Sequence, residues 1–110
     1  MIKPKKSLGQ NFLKDINIAK KIISTTNIYR KNIVEIGPGL GILTNKIIDL
    51  KPNKFSLIEK DSKIYDLLKK KYLNKKINIL NADVINFNFK NYKNYKIISN
   101  LPYNISSKLP

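Results

Sequence analysis

A glycine-rich turn between a strand pattern and a helical pattern is the feature that most constrains the fold. Residues 33–36 are Ile-Val-Glu-Ile, and residues 37–41 are Gly-Pro-Gly-Leu-Gly. Glycine lets the backbone turn sharply and approach a ligand with no Cβ in the way. Apolar side chains then recur at three- and four-residue intervals, as on one face of a helix: Leu40, Leu43, Ile47 and Ile48. The segment therefore predicts a strand, a glycine turn and a helix in succession.

The same alternation continues along the chain. Asp61 is placed to cap a second helix with one apolar face, formed by Ile64, Leu67 and Leu68. Strands that alternate with helices pair in parallel through right-handed crossovers, so the predicted fold class is α/β, a doubly wound, Rossmann-like parallel sheet. Doubly wound sheets usually hold more strands than the sequence supplies, so the sheet is expected to be incomplete. Three further strands follow the first: Phe55–Ile58, Ile77–Leu80 and Lys96–Ser99.

The amino-terminal region divides into an arm and a helix. Residues 1–14 are polar and basic and predict an extended arm. Asp15 is placed to open an amphipathic helix over residues 15–27. Residues 33–110 are then expected to form one partial Rossmann-like core.

Two acidic residues suggest how a nucleoside-type cofactor could be bound. Glu59 ends the second strand about 20 residues after the glycine turn, where nucleotide-binding folds place a carboxylate that binds both ribose hydroxyls. The Gly-x-Gly-x-Gly spacing and Pro38, which lacks an N–H donor, favour a cofactor without phosphate over a dinucleotide. A plain tight turn remains the alternative. Asp83, just past the third strand, either accepts a hydrogen bond from an exocyclic amine or simply caps a turn.

The segment Asn100-Leu101-Pro102-Tyr103 follows the fourth strand and resembles the motif of enzymes that methylate exocyclic amino groups of nucleobases. Because the N6 lone pair of adenine is delocalised, two acceptors for the N6 protons would direct that lone pair toward a methyl donor. The Asn100 side chain and the Leu101 carbonyl can be those acceptors. Pro102 fixes the backbone, and Tyr103 offers a stacking face for an unpaired or flipped base. The alternative is an ordinary turn containing Asn and Pro.

Composition excludes several classes of chemistry. The chain has no Cys and no His, which excludes disulfides, thiolate zinc sites and Ser-His-Asp catalysis, and no metal site is predicted. The net charge of +15 favours a polyanionic partner, RNA first, although Lys, Ile and Asn have A/T-rich codons and nucleotide bias is an equal explanation. Neither a signal peptide nor a membrane-spanning run is present, so a cytoplasmic location is expected.

The motifs together are similar, in order and spacing, to those of the ribosomal RNA adenine N6,N6-dimethyltransferases, a class I family dependent on S-adenosyl-L-methionine. The resemblance spans the whole chain and rests on residues 6–13, 35–41, 58–59, 83 and 100–106. It implies cofactor contacts from the arm (Asn11 and Leu13), beside the methionine part (Gly37 and Gly39), at the ribose (Glu59), at the adenine (Asp83) and next to the target base (Asn100).

Residues 9–13 and Leu101 favour the small-subunit (16S) rRNA enzymes over the erythromycin-resistance enzymes of large-subunit rRNA. The resemblance implies the small ribosomal subunit as partner, and a monomer is expected. It also implies that the rest of the sheet and a helical C-terminal domain are absent from these residues. The competing hypotheses are a truncated or degenerate remnant that binds RNA non-specifically and a dinucleotide-dependent oxidoreductase.

Overall fold

The computed structural model describes residues 17–99. The predictions for the arm, for Asp15 and for residues 100–110 lie outside the described residues. Residues 17–25 are helical (α1). The elements that follow are β1 (Asn32–Ile36), α2 (Ile42–Asp49), β2 (Lys54–Glu59), α3 (Ser62–Lys71), β3 (Asn78–Asn81), two 3₁₀ turns (Val84–Asn86 and Lys90–Tyr92) and β4 (Lys96–Ser99).

The four strands form one parallel sheet in the order β3-β2-β1-β4. This arrangement confirms the predicted fold class, and all four predicted strands are present to within a residue or so at their ends. Between β3 and β4 the chain crosses from one edge of the sheet to the other, so the strand order reverses between β1 and β4. In doubly wound sheets, ligands bind outside the carboxyl ends of the strands at such a reversal.

The two faces of the sheet are covered differently. Helices α1, α2 and α3 pack on one face, where Ile33, Leu57 and Leu68 are almost completely buried. The other face, around Val34 and Ile58, is covered by residues 82–95 rather than by a regular helix. Four aromatic rings of that segment contact one another edge to face or tilted, with centroids 4.8–5.7 Å apart: Phe87, Phe89, Tyr92 and Tyr95.

The helix boundaries differ from the sequence predictions at two places. Helix α1 ends at residue 25 and not 27, because the Ser24 and Thr25 hydroxyls donate to the Lys21 carbonyl and compete with the continuing backbone bonds. Leu40 was predicted on the apolar face of α2 but is 70% exposed. Gly41, with φ 90°, immediately precedes the helix, which begins only at Ile42, so Leu40 lies in the turn.

Helix α3 confirms its predicted cap and corrects its predicted face. The Asp61 carboxylate accepts hydrogen bonds from the backbone N–H groups of Lys63 (2.8 Å) and Ile64 (3.1 Å). Leu68 is buried against the sheet, whereas Leu67 is 59% exposed. Adjacent helical positions are turned by about 100° from each other, so Leu67 points away when Leu68 faces the sheet.

Candidate cofactor site

The carboxyl ends of the strands meet at one edge of the sheet. Ile36 is paired with both Ile58 and Ser99, and Glu59 is paired with Asn81. The glycine turn after β1 therefore lies beside the end of β2, and β4 ends on its other side. The structure thus brings the glycine turn and Glu59 together, as the sequence predicts.

All three glycines of the turn have positive φ angles, at 67°, 58° and 90° for Gly37, Gly39 and Gly41. Non-glycine residues rarely adopt these conformations. The Gly37 N–H donates to the Ile58 carbonyl at 2.9 Å, which holds the start of the turn against β2. In the described part of the chain, nothing lies within 4 Å of a Cβ placed on Gly39, whereas a Cβ on Gly41 would collide with the Tyr72 hydroxyl. The backbone is therefore open at Gly39 and closely packed at Gly41.

Glu59 links the glycine turn to the start of α3. Its side chain is 6% exposed. Oε1 accepts a hydrogen bond from the Gly39 N–H at 3.3 Å, and Oε2 accepts one from the Asp61 N–H at 3.0 Å. Each carboxylate oxygen has a further lone pair, so Glu59 is held in place and can still accept additional hydrogen bonds.

Asp83 begins the segment that follows β3. The Ala82 N–H donates to the Glu59 carbonyl at 3.1 Å, which ties this segment to the end of β2. Oδ1 of Asp83 accepts from the Ile85 N–H at 3.0 Å, so the residue does cap a turn. The side chain is exposed, and no residue in the range 17–99 donates to Oδ2. The capping role therefore leaves one oxygen available to a ligand.

A buried carboxyl group lies beneath the turn, and sequence reasoning assigned it no separate role. Glu35 is fully buried, and its Oε1 accepts from the Thr44 hydroxyl of α2 at 2.6 Å. Its Oε2 has no hydrogen-bond partner among residues 17–99. Burial raises the pKa of Glu35 to about 8, the Thr44 bond opposes this, and the charge of Glu59 adds to it. The period-two alternation of β1 was the available signal, because it places Glu35 on the same face as Ile33.

The end of α3 packs against the glycine turn, a contact that no sequence signal predicted. The Lys71 ammonium donates to the Leu40 carbonyl at 2.8 Å, and the Tyr72 hydroxyl donates to Oδ1 of Asn45 in α2 at 2.6 Å. Burial and the charge of Glu35 raise the pKa of Tyr72 to about 12, so its hydroxyl stays a donor at neutral pH. These partners are about 30 residues apart in sequence and meet only through the parallel crossover.

The other predicted site residues lie outside the described residues: Asn11, Leu13, Asn100, Leu101, Pro102 and Tyr103. Between residues 17 and 99, no group of three or more acidic, His or Cys side chains could hold a metal ion. No helix in that range is long and apolar enough to cross a membrane.

The parallel sheet, its glycine turn and the acidic residue after β2 define an α/β protein of the class I methyltransferase type. The sequence matches the family described as "Ribosomal RNA adenine dimethylase" over residues 1–110, and the chain belongs to that family.

Two relatives show the extent of the similarity. "Ribosomal RNA small subunit methyltransferase A" of Hydrogenobaculum sp. (strain Y04AAS1) is 44% identical over 110 residues, covering 99% of this chain and 43% of the relative. The protein of the same name from Pelagibacter ubique (strain HTCC1062) is also 44% identical, with 98% and 42% covered. The chain thus spans less than half the length of these relatives.

Solved structures agree with the fold. A dimethyladenosine transferase from Plasmodium falciparum superimposes with a TM-score of 0.68 at 34% identity, over 83% of this chain and 34% of that one. The 23S rRNA methyltransferase ErmE superimposes with a TM-score of 0.66 over 97% of this chain and 39% of its own length. At 21% identity, ErmE supports the fold alone.

Proposed function

We propose that the chain is the cofactor-binding part of an S-adenosyl-L-methionine-dependent rRNA adenine-N6,N6-dimethyltransferase. It would act in the cytoplasm on 16S rRNA of the small ribosomal subunit during ribosome biogenesis. The observation that carries the proposal is the hydrogen bond between the Gly39 N–H and the Glu59 carboxylate, which joins the glycine turn after β1 to the carboxyl end of β2. The family match over the whole chain supports the same reaction.

The described residues fit this cofactor. No side chain of residues 17–99 fills the space next to Gly39, so a ligand can lie against the backbone there. The Glu59 carboxylate is fixed by two backbone N–H groups and is a suitable acceptor for ribose hydroxyls. The free oxygen of Asp83 is a suitable acceptor for an adenine amino group. Gly37, Gly39, Glu59 and Asp83 would bind the cofactor together with Asn11, Leu13 and Asn100.

The chemistry divides between cofactor and chain. S-adenosyl-L-methionine supplies an electrophilic methyl group on its sulfonium. In sequence, Asn100 follows directly after β4, whose last residue Ser99 pairs with Ile36 beside the glycine turn. We propose that Asn100 and the Leu101 carbonyl accept the two N6 protons, that Pro102 holds that carbonyl and that Tyr103 stacks on the target base. Alignment and fixed dipoles then lower the barrier, and no strong base is needed.

Cofactor titration tests the binding part of the proposal. Glu59→Gln should weaken the binding of S-adenosyl-L-methionine at least about tenfold, because hydrogen bonds to a charged acceptor contribute about 1.5–3 kcal/mol. Asp66→Asn removes an exposed carboxylate of α3 and should leave the affinity unchanged. Melting curves of both variants confirm folding. No saturable binding by the wild-type chain would support the remnant hypothesis instead.

Methyl transfer tests the catalytic part. With the full-length protein, labelled methyl should appear on adenine N6 of unmodified small-subunit RNA, and Asn100→Ala should abolish the transfer. Retention of cofactor binding in the variant would separate a defect in the reaction from a defect in folding. Undiminished transfer by Asn100→Ala would contradict the assigned mechanism.

A further inference from the structure

A basic cavity lies at the end of the sheet opposite the candidate cofactor site. Its volume is about 640 Å³, and it is formed at the amino ends of β2 and β3 and by the segment before β4. Three lysines line it, Lys54, Lys75 and Lys76, together with the half-buried rings of Tyr92 and Tyr95. None of the lining residues that the structure describes carries a carboxylate.

The positive charge of this cavity is not compensated within the described range. None of the ammonium groups of Lys54, Lys75 and Lys76 forms an ion pair or a hydrogen bond with any residue from 17 to 99. All three lysines are exposed. A concave surface with several unpaired cations concentrates the electrostatic field and attracts anions.

Acidic residues are concentrated at the other end of the sheet. Of the six acidic residues between 17 and 99, four lie at or just beyond the carboxyl ends of β1, β2 and β3: Glu35, Glu59, Asp61 and Asp83. Burial keeps Glu35 largely uncharged at neutral pH, so three of these four carry a charge. The other two are Asp66 in α3 and Asp49 at the end of α2, and neither lines the cavity. A uniform compositional excess of lysine does not account for this separation, because it does not determine where the carboxylates lie. The two ends of the sheet therefore differ in charge, one suited to a cationic sulfonium and the other to an anion.

From this separation we infer that the amino-end cavity is a second contact site for RNA, which binds the phosphate backbone away from the reacting adenine. Lys54, Lys75 and Lys76 neutralise phosphates, and the phenol rings of Tyr92 and Tyr95 provide an aromatic wall beside them. A cavity of about 640 Å³ is large enough to receive a nucleotide unit. The choice of RNA as the partner rests on the proposed function.

The salt dependence of RNA binding tests the site. In the full-length protein, Lys54, Lys75 and Lys76 are replaced together by Gln, and binding to a small-subunit rRNA transcript is measured over a range of KCl concentrations. The logarithm of the binding constant falls with the logarithm of the salt concentration, and each lost phosphate contact makes this negative slope shallower by about 0.7–0.9. For the triple variant the magnitude of the slope should therefore decrease by about 2. The affinity at low salt should fall at least about tenfold.

A matched variant distinguishes the loss of this site from a general loss of positive charge. Lys20, Lys21 and Lys70 are exposed on α1 and α3, and their joint replacement by Gln removes the same charge elsewhere. It should change the slope far less. Equal slopes in the two variants, or loss of binding to phosphatidylserine vesicles with unchanged RNA binding, would overturn the inference. Cofactor titration of both variants should match that of the wild type. A wild type that binds no cofactor, with the difference in slope between the two variants intact, would count against the proposed function instead.

Discussion

At the scale of single residues, the buried carboxyl of Glu35 has a consequence for stability. Its pKa is about 8 in the folded chain against 4.5 normally, so between these values the folded state binds more protons than the unfolded state. The free energy of unfolding should therefore fall as pH rises from about 4.5 to 8, with a slope approaching about 1.4 kcal/mol per pH unit for this group. Denaturant unfolding at a series of pH values measures that slope.

Glu35→Gln provides the comparison. The amide keeps an oxygen for the Thr44 hydroxyl but cannot ionise. The difference in stability between variant and wild type should move in favour of the variant as pH rises from about 4.5 to about 8, and it should level off above that value. A difference independent of pH would show that Glu35 does not titrate in this interval.

Two neighbouring glycines should respond differently to the same substitution. The methyl group of Gly39→Ala meets no atom of residues 17–99 within 4 Å, so the substitution should cost only about 1 kcal/mol of stability, from the positive φ angle. It should nevertheless weaken cofactor binding, because the methyl group enters the proposed site. Gly41→Ala collides with the Tyr72 hydroxyl and should cost roughly 2–4 kcal/mol. Chemical denaturation and cofactor titration measure the two effects.

A double-mutant cycle checks the cause of the Gly41 effect. Removing the hydroxyl by Tyr72→Phe should relieve part of the collision, giving a coupling free energy of at least about 0.5 kcal/mol. Additive effects would mean that backbone strain alone destabilises Gly41→Ala.

At the scale of secondary-structure elements, the first turn of α3 depends on its cap. Asp61→Ala removes both side-chain hydrogen bonds to the Lys63 and Ile64 N–H groups and should cost about 1 kcal/mol. Asp66→Ala, an exposed position on the same helix, should change stability by less than about 0.5 kcal/mol. Thermal melts compare the two. Equal losses would indicate that net charge matters here and that the cap does not.

At the scale of the whole molecule, the charge of +15 should make stability depend on salt. A large net charge destabilises a compact state by self-repulsion. Raising KCl from about 0.01 to about 0.1 M shortens the Debye length from about 30 to about 10 Å. The melting temperature should therefore rise by about 4 °C or more.

The lysine variant tests whether repulsion is the cause of this rise. Triple replacement of Lys54, Lys75 and Lys76 by Gln lowers the charge at one end of the sheet and should reduce the increase in melting temperature. A melting temperature that stays constant or falls with salt in the wild-type chain would rule out self-repulsion as a significant factor.

The order of strands and helices, the positions of the glycine turn and Glu59, and the Asp61 cap all follow from the sequence. Each depends on local causes: apolar periodicity, positive-φ glycines and a side chain that reaches its own backbone neighbours. The same local reasoning failed for Leu40 and Leu67, whose exposure is set by where the helix begins and how it is turned toward the sheet.

Only the tertiary structure decided which groups meet. The contacts of Tyr72 with Asn45 and of Lys71 with the Leu40 carbonyl join residues 27 and 31 positions apart. Such contacts depend on strand order and register, which no local pattern encodes. The pKa of Glu35 has the same origin, because the carboxyl group becomes hard to ionise only after α2 and the sheet have removed it from water.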